Sequence, residues 1–196
     1  MKPTARTPLL APLSAAAALS ASAQTLPPAR PPGAAGYPAV RQAKNIAHVS
    51  MWDVPAAPEK VFPLLCPVRE YDWIASWRAE MVHTVSGVAE EDCIFRTGTG
   101  TAAGLTWVCT RYEPDRRIEY TCFAPDKLVV RLKIELTPTP AGTRMEWTWH
   151  WLSLGAAGDE FIAHWSRADH EGMVAVRQKE MEHYLRTGTF LPAAKP

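Results

Sequence analysis

The sequence predicts an α+β domain in which an antiparallel meander of strands is closed by one long C-terminal helix. Three observations carry this. Six strand-like segments separated by turn-forming residues run from 80 to 154. A proline-free stretch over about 158–187 has helical periodicity. The 196 residues, 47% hydrophobic and 21% charged, suit one core plus an appendage. A formal net charge of +1 offers no concentrated basic surface, so neither nucleic acid nor an anionic membrane is expected as the main partner.

The appendage comes first, because residues 1–52 contain no acidic side chain and hold eight of the 18 prolines. Lys2 and Arg6 precede an apolar, alanine-rich run over 9–19, and Ala21-Ser22-Ala23 before Gln24 has the small-x-small pattern of a cleavage site. This predicts a signal peptide over 1–23 and a periplasmic or secreted protein. Pro8 and Pro12 interrupt the apolar run and leave a competing reading, a cytoplasmic protein with a misplaced start codon. Against that reading, the next methionine, Met51, falls inside the first expected strand. The run is shorter than the roughly 20 apolar residues that span a bilayer, so no stable membrane insertion is expected. Residues 24–43 read as a Pro/Ala-rich linker, 44–191 as the folded and monomeric domain, and 192–196 as a tail.

Within the domain, 45–54 has strand-like spacing up to Pro55. Ala57-Pro58-Glu59 opens a short helix with Val61, Phe62, Leu64 and Leu65 on its apolar face, compromised by Pro63. Pro67 stops it and opens a second short helix through Val68, Tyr71, Trp73 and Ile74 to about Trp77. Strands follow at 80–86, 92–97, 105–112, 117–123, 127–137 and 143–154. Gly87, Gly98 with Gly100, Pro114-Asp115, Pro125-Asp126 and Pro140-Ala141-Gly142 supply the turns, and connections this short imply an antiparallel meander. Leu128, Val130, Leu132, Ile134 and Leu136 alternate with Arg131, Lys133 and Glu135, and Met145, Trp147, Trp149 and Trp151 alternate with Arg144, Glu146 and Thr148. One face of these strands is therefore buried and the other wet. Ile118, Tyr120 and Cys122 match the buried face. In 105–112, Trp107, Cys109 and Arg111 compete with Thr106, Thr110 and Tyr112 for the inside. The terminal helix places Phe161, Ile162, Trp165, Ala168, Gly172 and Val176 on one stripe, runs about 40 Å at about 1.5 Å per residue, and stops at Gly188.

This order of elements resembles the helix-grip superfamily, also called SRPBCC or START-like. Val54-Pro55-Ala56-Ala57-Pro58-Glu59-Lys60-Val61-Phe62 is similar to the family's first strand and short helix. Tyr112-Glu113-Pro114-Asp115-Arg116-Arg117-Ile118 is similar to its middle turn, and Gly142-Thr143-Arg144-Met145-Glu146-Trp147 to the opening of its last strand. Pro63 is a departure. The resemblance implies a curved seven-stranded antiparallel sheet with two short helices and a long C-terminal helix enclosing a cavity. It also implies hydrophobic or lipid-like small-molecule ligands in many members, and polyketide cyclase or related activity in some.

The candidate ligand wall is Tyr120, Leu132, Ile134, Met145, Trp147, Trp149, Trp151, Phe161 and Trp165, with Asp169 on the same helical stripe. Plain core packing is the competing reading, although each buried indole N–H needs a partner that a cavity would provide. An Asp169 facing an enclosed space would have a raised pKa and could act on a ligand, and Tyr120 is the other acid-base candidate; an edge position for Asp169 is the alternative. Lys179 and His183 fall at the mouth or the surface. The six histidines show no ligand spacing, so no metal is expected, and nothing implies another cofactor. Cys66, Cys93, Cys109 and Cys122 read as buried thiols, with disulfides permitted in an exported protein. Gly98-Thr99-Gly100 lacks the lysine and helix of a phosphate loop. The functional expectation is binding or carriage of a hydrophobic small molecule. The alternatives are a cyclase- or dehydratase-like enzyme on an apolar or polyketide-like substrate, and a protein-interaction module with a filled core.

Overall fold

A computed structural model describes residues 41–99 and 104–192. The expectations for the signal segment, most of the linker and most of the tail lie outside these residues, and Gly98-Thr99-Gly100 lies only partly inside them. Ten residues over Asn45–Val54 form β1, followed by α1 (Pro58–Val61), which tightens into a 3-10 turn over Phe62–Leu65. Strands β2 (Ala79–His83), β3 (Ile94–Thr97), β4 (Leu105–Glu113), β5 (Arg117–Ala124), β6 (Leu128–Thr139) and β7 (Gly142–Ser153) follow, then α2 (Ala156–His164) and α3 (Arg167–Thr187). All seven strands form one antiparallel sheet in the order β1-β7-β6-β5-β4-β3-β2, the expected helix-grip architecture.

Alternation decides which face is the core. Register sets Val130 opposite Trp151, Leu132 opposite Trp149, Ile134 opposite Trp147 and Leu136 opposite Met145, so the two apolar rows lie side by side on the concave face. The Pro114-Asp115 and Pro125-Asp126 turns close with Asp115 and Asp126 at φ of 60° and 57°, a left-handed conformation that aspartate tolerates better than most side chains. The ambiguity in β4 resolves through a bulge between Cys109 and Arg111. Before it Trp107 and Cys109 point inward; after it the phase slips, Arg111 faces solvent, and Tyr112 packs edge-on to Phe62 at 5.2 Å. Both competing sets were therefore partly right.

Two expectations about helices are corrected. The second short helix is a single 3-10 turn, Glu70–Asp72. The long terminal helix breaks in two at Trp165, which adopts an extended conformation (ψ 99°). Ser166 then starts α3 as its N-cap: the Asp169 amide donates to the Ser166 hydroxyl, and the Ser166 amide donates to the Asp169 carboxylate at 2.9 Å. This reciprocal cap satisfies donors that a continuous helix would have paired internally, so the break is stable. It also rephases the helix. Ala168, Gly172 and Val176 lie on the solvent side, and His170, Val174 and Met181 are buried instead. The 21 residues of α3 span about 30 Å at about 1.5 Å per residue, shorter than expected. The close packing of α2 on the sheet depends on Gly158, where an added Cβ would stand 1.9 Å from the Lys127 carbonyl oxygen.

Candidate functional site

Beneath the middle of α3 the sheet and helix do not meet, and a cavity of about 170 Å³ remains. Phe95 of β3, Trp107 of β4, Tyr120 of β5, Leu132 and Ile134 of β6, and Trp147 and Trp149 of β7 form its floor. Met173, Val174 and Arg177 of α3 form the roof. The segment after α1 closes one side with Leu65, Pro67, Glu70, Ile74 and Trp77. Two indoles fix that segment: Trp73 donates to the Leu64 carbonyl and Trp77 to the Pro67 carbonyl, both at 2.8 Å. The floor is held by ring contacts. Phe95 stacks on Trp107 with centroids 5.7 Å apart, and Trp149 meets Trp107 edge-on at 6.4 Å.

Polar groups in the wall are few and unevenly satisfied. The Tyr120 hydroxyl donates to the Leu65 carbonyl at 3.0 Å, and burial pushes its pKa well above the usual phenol value. Trp107 donates to the Thr97 hydroxyl at 2.9 Å. Among the described residues the buried indole N–H groups of Trp147 and Trp149 have no partner, as is also true of Trp52 and Trp165 outside the cavity. Glu70 is half-buried with no partner for its carboxyl among the described residues, and desolvation pushes its pKa up to about 8 even though Arg177 favours the charged form. The Arg177 guanidinium is itself engaged by Glu180, one turn along α3. A carboxyl that keeps its proton near neutral pH can donate a hydrogen bond or a proton, which an exposed glutamate cannot.

Nearer β1 the same concave face is filled. His48 stacks on His170 with centroids 4.9 Å apart, the Ser50 hydroxyl lies 3.0 Å from His170 Nε2, and Trp151 meets both imidazoles edge-on. Trp151 also contacts Trp165 at 5.6 Å. Desolvation first, and His48 second, depress the His170 pKa.

Residues 47–182, more than half of the chain, match the family described as polyketide cyclase / dehydrase and lipid transport. The chain belongs to that family. A protein of Rhizobium leguminosarum has a similar structure, with a TM-score of 0.55 and 14% identity over 75% of this chain and 98% of its own. Protein MLL2253 from Mesorhizobium loti is similar with a TM-score of 0.52 and 19% identity over 72% and 98% of the two chains. DynU16, from the dynemicin biosynthetic locus, is similar with a TM-score of 0.51 and 18% identity over 73% of this chain and 48% of its own. At these identities the likeness concerns the fold. No curated protein matches the sequence. Membership in the polyketide cyclase / dehydrase and lipid transport family goes, in general terms, with an apolar ligand or cyclase-like chemistry.

Of the wall expected from sequence, Tyr120, Leu132, Ile134, Trp147 and Trp149 line the cavity. Met145 and Trp151 are buried core beside it. Phe161 and Trp165 stack on each other at 5.4 Å and line a shallow exterior depression with Lys127, because α2 ends before the cavity begins. Asp169 is the clearest correction: it is exposed, and its hydrogen bonds from Ser166 hold its carboxyl below the usual range rather than above it. Lys179 is exposed and His183 half-buried. All four cysteines are buried free thiols. Among the described residues no group of three or more His, Cys, Asp or Glu is placed to hold a metal ion, and no helix is long and apolar enough to cross a membrane. Sequence reasoning missed Glu70 and Arg177. The signal for Arg177 was present: Ser166-Arg167-Ala168-Asp169 has capping-box spacing, and counting from that cap turns Arg177 inward with Val174. Nothing in the sequence around Glu70 marks it, since a single 3-10 turn has no periodicity to read.

Proposed function

We propose that this protein binds or carries a hydrophobic small molecule of about single-ring size in the cavity under α3. The observation that carries the reading is the cavity itself, about 170 Å³ walled by four tryptophans, Phe95, Tyr120 and aliphatic side chains. Apolar cavities of about 150 Å³ accommodate benzene. The space left between these side chains and α3 favours a ligand over plain core packing. With Trp77, Trp107, Trp147 and Trp149 around the space, intrinsic fluorescence should respond to aromatic ligands, and Trp149→Leu should weaken that response while the fold persists. A response unchanged by that substitution would defeat the carrier reading.

Cyclase- or dehydratase-like catalysis is the second reading, favoured by Glu70, whose carboxyl stays protonated up to about pH 8 and is suited to act as a general acid. Conversion of a bound substrate that stops in Glu70→Gln, with binding retained, would put the enzyme reading in place of the carrier. Export with cleavage after Ala23 belongs to the same proposal. N-terminal sequencing of the native protein tests it, and an N-terminus at or beyond Val40 without export would overturn it.

A further inference from the structure

Taking the cavity as the ligand site proposed above, we infer that Glu70 is its polar recognition group and that the ligand presents a neutral hydrogen-bond acceptor, a carbonyl oxygen on a ring-sized apolar body. The inference follows from which polar groups in the wall still have something to give. Tyr120 has already spent its only hydrogen on the Leu65 carbonyl. Trp77 and Trp107 donate to the Pro67 carbonyl and the Thr97 hydroxyl. Arg177 is engaged by Glu180. What remains is the Glu70 carboxyl, which lines the cavity and has no hydrogen-bond partner among the described residues.

That carboxyl is a donor while it holds its proton, which desolvation favours below about pH 8. A wall with a spare donor is complemented by an acceptor. Charge narrows the class further. A ligand charged with either sign would lose its hydration in an apolar space where Arg177 is already paired with Glu180. A hydrocarbon would fill the volume and leave the Glu70 donor unmatched. A neutral carbonyl meets each condition, and Glu70, at the side of the cavity formed by the segment after α1, sets which end of the ligand faces that segment.

Two probes of nearly the same shape isolate the oxygen: acetophenone, and α-methylstyrene, in which the carbonyl is replaced by a methylene. Isothermal titration of the full chain at pH 6 should give acetophenone an affinity about five- to tenfold higher than α-methylstyrene, the value of one hydrogen bond. Glu70→Gln keeps a donor and should keep most of the preference. Glu70→Leu should abolish the preference while α-methylstyrene still binds. In the unsubstituted protein the preference should fall between pH 6 and 9.5, as Glu70 loses its proton, and in Glu70→Gln it should stay flat. Equal affinities for the two probes, or a preference that survives Glu70→Leu, would overturn the assignment of Glu70 and leave the binding reading standing. Failure of both probes to bind would remove the binding reading and this inference with it.

Discussion

At the β1 end of the concave face, His48 and Trp151 meet His170 and Trp165 ring against ring. At the β4–β5 end, Trp107, Tyr120 and Trp149 leave about 170 Å³ between themselves and the same helix. Both ends are built from indoles on neighbouring positions of β7, and Trp149 even stacks on Trp151 at 5.5 Å. The difference therefore lies in what α3 contributes. His170 is a flat ring inserted between two strands' side chains, whereas one turn later Met173, Val174 and Arg177 do not fill the space below them. Whether a tryptophan is core or cavity wall is decided across the sheet–helix interface, not within its own strand.

The largest expected effect sharpens this contrast. Trp151→Ala should cost about 3–5 kcal/mol in denaturant unfolding, because its neighbours at the packed end are held by other contacts and cannot collapse into the gap. Trp149→Leu, facing existing empty space, should cost less than about 2 kcal/mol. Equal losses would break the distinction between the ends.

Next comes Glu70. Its folded pKa of about 8 lies above its unfolded value of about 4.5, so the folded state holds the extra proton and stability falls as pH rises across that window. Glu70→Gln should remove the slope and be more stable than the parent by about 2–3 kcal/mol at pH 8 and above, with little difference below pH 4.5. Thermal unfolding across that range checks it, and parallel curves would show that Glu70 is solvated.

Smaller is the effect of Ser166→Ala, which removes the cap that starts α3 and should cost about 1 kcal/mol. Last, the depressed pKa of His170 has the opposite sign to Glu70. The unfolded state takes up a proton first, so this contribution is complete above the ordinary histidine value near 6.5 and is lost as pH falls below it. His170→Gln should flatten the acid limb of the stability profile and leave the alkaline limb, set by Glu70, unchanged.

The fold was legible because strands record burial with period two, and β6 and β7 do so over 12 residues each. β1 was readable to the residue for the same reason. The site was only half legible. Tyr120, Leu132, Ile134, Trp147 and Trp149 could be assigned to the concave face from alternation alone, but alternation cannot separate Trp149, at the void, from Trp151, in the core. The helix face was misread because Phe161 and Trp165 set its phase and the chain breaks immediately after them. Asp169, placed inside by that phase, serves instead as half of the cap that makes the break. Glu70 depends on a fold-level accident of position, a short turn held against the cavity by Trp73 and Trp77, and no local pattern encodes it.

The cap, the buried imidazole and the fully buried Met181 together make α3 mechanically a beam resting on two abutments. His170 and Met181 stand 11 residues apart, about 16 Å along the axis, with Met173, Val174 and Arg177 in the span between them. On the binding reading proposed above, a guest that matches the void would load neither support. A bulkier one must lift the span, and the rigidity of a continuous helix passes that load to the supports as lost packing at His170 or Met181. On that same reading, the upper limit on guest size would be set by the stiffness of the roof rather than by the shape of the floor. Acid, which charges the imidazole at one abutment, loosens the limit from that end first.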